Sequence, residues 1–365
     1  MTEKIRVLVA DDSVVARRSI AKALEGEPDF EVTTTASGAQ ALVRLETHGA
    51  DVVMLDIEMP EPDGLETLRR IRAKSTALPV IMCSTATHRG AAATVEALSA
   101  GATDYVTKPT TAANHAEAIT EIRGELVRKI RAVVAASARS TRSGADRTTS
   151  MAPEAPQRTT NTRPGVRPDV LAIGCSTGGP NALIDVWRGL PRAFPTPILL
   201  VQHMPPVFTR MLAERLTALG GVPVSEATDG EALAPGHAQI APGGLHMEVE
   251  KSGEQVCVRV HDGPPENSCR PAADVLFRSV ARVYGGGVLG LVLTGMGQDA
   301  LTGSRAIVEA GGAVIVQDEA TSVVWGMPGF VARAGLARDV LPLSQIAPAV
   351  LRAFHLRPPH RTQAA

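Results

Sequence analysis

The chain has 365 residues, 37 of them basic and 38 acidic, with 44% hydrophobic and 21% charged residues. That length and composition fit an ordinary soluble protein of two domains, and a net charge of −1 gives no sign of the basic footprint of a nucleic-acid binder. Four cysteines, Cys83, Cys175, Cys257 and Cys269, stand apart with no CxxC pair, which argues against a disulfide framework or zinc site and fits a reducing cytosol.

The chain runs at once into a strand-like segment, IRVLVA, ending at Ala10. No signal-peptide apolar region precedes it, and no apolar run is long enough to span a bilayer. The expectation is a cytoplasmic protein with no membrane insertion. Three more short apolar runs follow in the first half, DVVMLD, LPVIMCS and TDYVTK, each separated by a helical pattern. Runs of this kind are strands buried on both faces, and their alternation with helices predicts a doubly wound parallel sheet.

Ligands of such sheets bind at the carboxyl ends of the strands. Those ends carry Asp11 and Asp12, then Asp56, then Ser84, then Lys108 with Pro109. Clustered carboxylates repel one another and need a cation, and hard oxygen ligands suit Mg²⁺. The metal and Lys108 would neutralise a phosphoryl group on Asp56, and Ser84 could hydrogen-bond it. Any one of these aspartates could simply cap the next helix. Five such groups in order point to a site.

From about Ala136 to Pro168 the sequence turns to Ser, Thr, Arg, Pro and Gly with almost no large apolar residue. Such a segment cannot bury enough surface to offset ordering entropy, so a flexible linker is expected. Its arginines could touch an acidic partner, but basic runs are usually solvated.

The second half repeats the α/β alternation with VLAIG, PILLVQH, VLGLVLT and AVIVQ. Residues 171–180 read LAIGCSTGGP. This is a strand, a tight glycine turn and a helix opened by Pro180, with Ser176 in the turn of a GxSxG elbow. The helix N-terminus would offer N–H groups to an oxyanion. A phosphate loop is the rival reading, but the spacing matches neither GxGxxG nor a Walker A loop. A serine needs a base, and the base an orienting group. PILLVQH ends on His203, and VLGLVLT leads through Met296 to Asp299. The glycines beside Met296 would let backbone N–H groups approach an oxyanion. His237, His246, His261, His355 and His360 are alternatives, and none follows a strong strand run as His203 does. Asp299 could instead cap a helix. Cys175 beside the serine reads as a small core residue rather than a nucleophile.

Two family resemblances follow from these motifs. Residues 1–125, with DDS at Asp11, LDIEMPEPDG at Leu55 and TKP at Thr107, resemble a two-component receiver domain. The resemblance implies that Asp56 accepts phosphate from a histidine kinase. It also implies that Asp11, Asp12, Asp56 and the main-chain carbonyl of Glu58 hold Mg²⁺, and that Ser84, Tyr105 and Lys108 form the switch. Residues 168–356, with GCSTGGP, VQHMPPVFT, APGGLHM, CRPAADVLF, TGMGQDA and GMP, resemble the catalytic domain of the chemotaxis protein-glutamate methylesterases. That implies Ser176 as nucleophile, His203 as base, Asp299 as orienter and the Met296 N–H in the oxyanion hole. The implied substrates are glutamate methyl esters of chemoreceptors, with deamidation of receptor glutamines by the same chemistry. No cofactor is implied for the esterase step.

Two positions depart from the family pattern: Ala272 where Ser is usual, and Ala300 where Gly is usual. The expected fold is α/β, a flavodoxin-like receiver and a Rossmann-like hydrolase. They are joined over 126–167 by a helix end and flexible linker, with a disordered tail over 357–365. A non-catalytic adaptor or phosphate sink is the competing function, and the complete Ser, His and Asp set speaks against it.

Overall fold

The computed structural model describes residues 4–108, 115–145 and 167–357. Pro109, most of the expected linker (146–166) and the tail from 358 lie outside the described residues. The chain divides into two compact units, one ahead of residue 150 and one from it onward.

The first unit alternates strands and helices: β1 (Ile5–Ala10), α1 (Val14–Glu25), β2 (Phe30–Thr35), α2 (Gly38–His48), β3 (Val52–Asp56), α3 (Gly64–Lys74), β4 (Val80–Ser84), α4 (His88–Ser99), β5 (Asp104–Thr107) and α5 (His115–Ala145). The sheet is parallel in the order β2-β1-β3-β4-β5. This is the flavodoxin-like order, whose crevice opens between β1 and β3. The first four helices start on sequence signals. Ser13, Ser37, Asp63 and Thr87 each accept a backbone N–H of the first turn, satisfying donors that would otherwise be orphaned. β3 and β4 are buried along their whole length. β2, with sequence FEVTTT, is a half-exposed edge strand, so it lacks the continuous apolar run that marks the others.

α5 continues to Ala145, so the first ten residues of the expected linker are helical. The reason is local: AASARSTRSGA holds good helix formers and no proline.

The second unit comprises β6 (Val170–Cys175), α6 (Gly179–Trp187), β7 (Ile198–Gln202), α7 (Phe208–Ala218), β8 (Val224–Glu226), β9 (Ala238–Ile240), β10 (His246–Ser252), β11 (Gln255–His261), α8 (Ala273–Tyr284), β12 (Val288–Val292), α9 (Leu301–Glu309), β13 (Ala313–Gln317), α10 (Met327–Arg333), β14 (Asp339–Leu341) and α11 (Leu343–Ala353). Seven strands form a parallel sheet in the order β14-β13-β12-β6-β7-β9-β8. Its strand order reverses at β6, which lies between β12 and β7, so the Rossmann-like crevice opens there. β6, β7, β12 and β13 are wholly buried. β10 and β11 pair as a separate antiparallel hairpin.

Helices of this unit start differently. α6 follows Gly178, which is left-handed at φ 75°, and α9 follows Ala300, also at φ 75°. None of α6 to α11 has a side-chain cap hydrogen bond from its own N-cap residue. Among the described residues no helix is long and apolar enough to cross a membrane.

Candidate active site and phosphoacceptor site

In the first unit Asp11, Asp12, Asp56 and Lys108 converge at the strand ends. Oxygen atoms of Asp11, Asp12 and Asp56 lie within 4.8 Å of one another. Lys108 Nζ stands 2.8 Å from Asp11 Oδ2 and 2.7 Å from Asp56 Oδ2. Lys108 is held by its backbone N–H, which donates to the Ser84 carbonyl at 2.7 Å. Burial pushes the Asp56 carboxyl up, although Lys108 opposes it. Ser84 is buried, and its Oγ donates to the Gly90 carbonyl at 3.0 Å. Tyr105 is buried beneath α5, with Lys129 Nζ 5.1 Å from its ring centre. Glu58 is exposed, and its N–H donates to Asp56 Oδ1 at 3.3 Å. The donor set is all hard oxygen and suits Mg²⁺.

In the second unit, the parallel register Cys175↔Gln202 places Ser176 and His203 directly after the ends of adjacent strands. The N–H of His203 donates to the Cys175 carbonyl at 3.2 Å. The N–H of Ser176 donates to Thr294, just past β12, at 3.1 Å. The elbow turns sharply because Gly178 is left-handed, and because a side chain at Gly179 would collide with Gln202. The buried Gln202 amide donates to the carbonyls of Ser176 at 3.0 Å and His203 at 3.3 Å, tying the two loops together. Cys175 is fully buried and burial pushes its thiol up, as a core residue should be.

Asp299 is buried and reaches His203 from the loop after β12: its Oδ2 lies 2.7 Å from Nε2. It also accepts from the backbone N–H groups of Ala273 (2.6 Å) and Asp274 (2.9 Å), the first turn of α8. Asp299 therefore does cap a helix, and it orients an imidazole as well. This accounts for Ala272, the N-cap residue of α8, which offers no side-chain oxygen of its own. The Ala300 N–H donates to Asp299 Oδ1 at 2.9 Å. Its left-handed backbone is one that glycine adopts freely and that costs alanine about 1 kcal/mol or more.

Burial opposes charge on both partners of the His203–Asp299 pair, and the pairing outweighs it. Asp299 is held below the usual carboxylate range. His203 is pushed up to about 10 by Asp299 and by a second neighbour, Cys269, whose Sγ is 3.4 Å from Nδ1. Met296 is half-buried between Gly295 and the left-handed Gly297. A side chain at Gly295 would collide with Met327 and approach Ser176 Cβ to 3.0 Å, so the loop packs directly against the serine.

The sequence reading passed over Cys269, and with it Asn267 and Asp274. Asn267 Nδ2 donates to Asp274 Oδ2 at 3.0 Å and to Asp299 Oδ1 at 3.3 Å. Asp274 is buried, and burial pushes it up to about 6. The only signal for them is their place in and just ahead of CRPAADVLF.

Comparison with known proteins agrees with two α/β units of these kinds. Residues 171–350 match the CheB methylesterase family model and residues 7–120 the response regulator receiver domain model. A protein-glutamate methylesterase/protein-glutamine glutaminase of Trichodesmium erythraeum is 48% identical over 96% of this chain and 99% of its own length. One of the same description from a Nocardioides species is 46% identical over 95% of each chain. The CheB methylesterase catalytic domain of Thermotoga maritima, a crystal structure, is 39% identical with a TM-score of 0.50, covering 51% of this chain and 99% of that domain. With strand-end chemistry, parallel sheets and full-length relatives in agreement, the chain belongs to the receiver-linked protein-glutamate methylesterase/protein-glutamine glutaminase family.

Proposed function

We propose that this protein is a phosphorylation-controlled serine esterase. It hydrolyses glutamate methyl esters on the cytoplasmic segments of chemoreceptors, and deamidates receptor glutamines by the same route. The observation that carries the reading is the 2.7 Å bond between His203 Nε2 and Asp299 Oδ2 beside Ser176, one strand away.

With Asp299 ionised, Nε2 keeps its proton and Nδ1 is the base. Ser176 Oγ attacks the ester carbonyl carbon while its proton passes to Nδ1. The Met296 N–H stabilises the oxyanion that forms. Collapse breaks the bond to the methoxy oxygen, which takes the proton from Nδ1 and leaves as methanol. Water then attacks the acyl-serine, giving its proton to Nδ1. The glutamate carboxyl group departs and Ser176 is restored. For a glutamine the leaving group is ammonia. Asp299 holds the ring and balances the imidazolium charge between the proton transfers.

In the receiver, Asp56 takes the phosphoryl group from a histidine kinase. Asp11, Asp12 and Asp56, with the Glu58 carbonyl, would hold Mg²⁺, which when bound neutralises phosphoryl charge. Lys108 supplies the second cation, and Ser84 and Tyr105 follow the phosphoryl group.

The test is methanol release from membranes bearing chemoreceptors with labelled methyl esters, using full-length protein and a small phosphodonor. Wild type should release methanol, and Ser176→Ala and His203→Ala, each folded, should release none above background. Near-normal release by Ser176→Ala would overturn the assignment.

A further inference from the structure

The segment Glu266–Cys269 is a tight two-residue turn. Glu266 and Cys269 exchange backbone hydrogen bonds of 3.0 and 2.8 Å, and the residues between them, Asn267 and Ser268, have φ of 52° and 62°. Positive φ at both central positions is the mark of a type I′ turn, which favours Asn at the first of them. The turn is fixed to α8 by a two-pronged ion pair between Glu266 and Arg278, both contacts at 2.6 Å. It reaches two members of the candidate triad at once. Asn267 donates to Asp299, and Cys269 Sγ meets Nδ1 of His203.

Nδ1 is the nitrogen that must receive the serine proton if Nε2 is committed to Asp299. We propose that Cys269 is a positioning residue of the esterase reaction: from this turn its sulfur holds Nδ1 of His203 and sets the pH at which that nitrogen is free to take the Ser176 proton. The proposal rests on the esterase reading above. When the ring is charged, Nε2–H donates to Asp299 and Nδ1–H to the sulfur. When it is neutral, Nδ1 can only accept, either from the Cys269 S–H or from Ser176 Oγ, so the sulfur must give way before the serine proton can pass.

Other ionisable groups around the ring are already engaged. Asp274, on α8, acts on it only through Asp299 and Asn267. Glu266 is paired with Arg278. Arg270 donates to the carbonyls of Asp262 and Gly263. From the strand side, Cys175 points its thiol at the Val201 carbonyl. Among the described residues, Asp299 and Cys269 are thus the two groups that bear directly on the charge of His203.

The sign follows. Protonated His203 cannot accept from Ser176, so activity falls as pH drops through the ring's midpoint. Partners that favour the charged ring raise that midpoint, and the ring here is pushed up toward 10. Wild-type kcat/KM should therefore rise with pH through a midpoint above the ordinary imidazole value of about 6.5. Removing the sulfur should lower it.

The experiment is the pH profile of ester hydrolysis by the full-length protein, its Cys269→Ala and Cys269→Ser variants, and Ser176→Ala as the blank. Cys269→Ala should shift the acid-side midpoint down by about one pH unit with KM little changed. Cys269→Ser, nearly the same shape, should fall between the two. A role in packing alone would lower kcat at every pH and leave the midpoint in place, and that result overturns the proposal. The Cys269→Ser profile keeps the test decisive if the alanine variant folds poorly. If wild type shows no Ser176-dependent hydrolysis, the esterase reading itself fails and this proposal with it. Active wild type with an unmoved midpoint in Cys269→Ser and Cys269→Ala overturns the role of Cys269 alone.

Discussion

Asp299 accepts five hydrogen bonds, from His203 and Ala273 on Oδ2 and from Asn267, Asp274 and Ala300 on Oδ1. All five partners are N–H donors, so both oxygens must be acceptors. Asparagine has only one. Whichever way its amide turned, an NH₂ group would face at least two donors, each mismatch costing about 1–3 kcal/mol. Asp299→Asn should thus lose stability by about 2 kcal/mol or more. It should also lose activity, by up to about 10⁴-fold if the wrong ring tautomer results. Chemical denaturation and kcat check the two effects separately, and near-normal values for both would contradict the role given to Asp299. The placement of Ser176, His203 and Asp299 at strand ends was legible in the sequence because each follows a strong apolar run. Cys269 was not, since its contact with His203 spans 66 positions and begins in a turn with no periodic pattern. Asp299 also carried two sequence readings, helix cap and imidazole partner, which looked like alternatives and are both true.

At the scale of elements, what the sequence reveals depends on burial. The strands read from it, β1, β3 to β7, β12 and β13, are those buried along most of their length. Those it missed are edges or short pieces: β2, β8, β9, β14 and the β10–β11 hairpin. A half-exposed edge strand needs no continuous apolar run, and a three-residue strand is too short to show any period. The site is nevertheless set by these elements' neighbours. α8 and α9 meet at Gly303, where a side chain would collide with Phe277, and the Gly303 N–H donates to Asp274 Oδ1 at 2.6 Å. Gly303→Ala should push the helices apart at a cost of about 1–3 kcal/mol. It should also loosen Asp274 and, through the α8 N-terminus, Asp299. A lowered melting temperature together with lowered kcat is the expected pair of outcomes. An unchanged melting temperature would mean that the helices do not meet there as closely as described.

For the whole molecule, two doubly wound units were read from alternating strand and helix patterns, and two compact units with parallel sheets are what the chain forms. A receiver carries no ester chemistry of its own, so its fusion to this hydrolase makes sense as control. On the proposed assignment, phosphorylation would add nearly two negative charges at Asp56, drawing on Lys108 and Ser84. A coupling of roughly 1–3 kcal/mol between the units would change activity by about 5–150-fold. A fluorophosphonate probe reads the chemistry and the control together, because an activated serine hydroxyl displaces its fluoride and keeps the phosphonyl group. The measurement is the site and rate of labelling of the full-length protein, with and without a small phosphodonor. The expected result is an adduct on Ser176 that forms several-fold faster with the donor, and an Asp56→Asn variant that labels at the slow rate in both cases. An adduct on any other residue, or one rate for all of these samples, would contradict the roles given to Ser176 and Asp56.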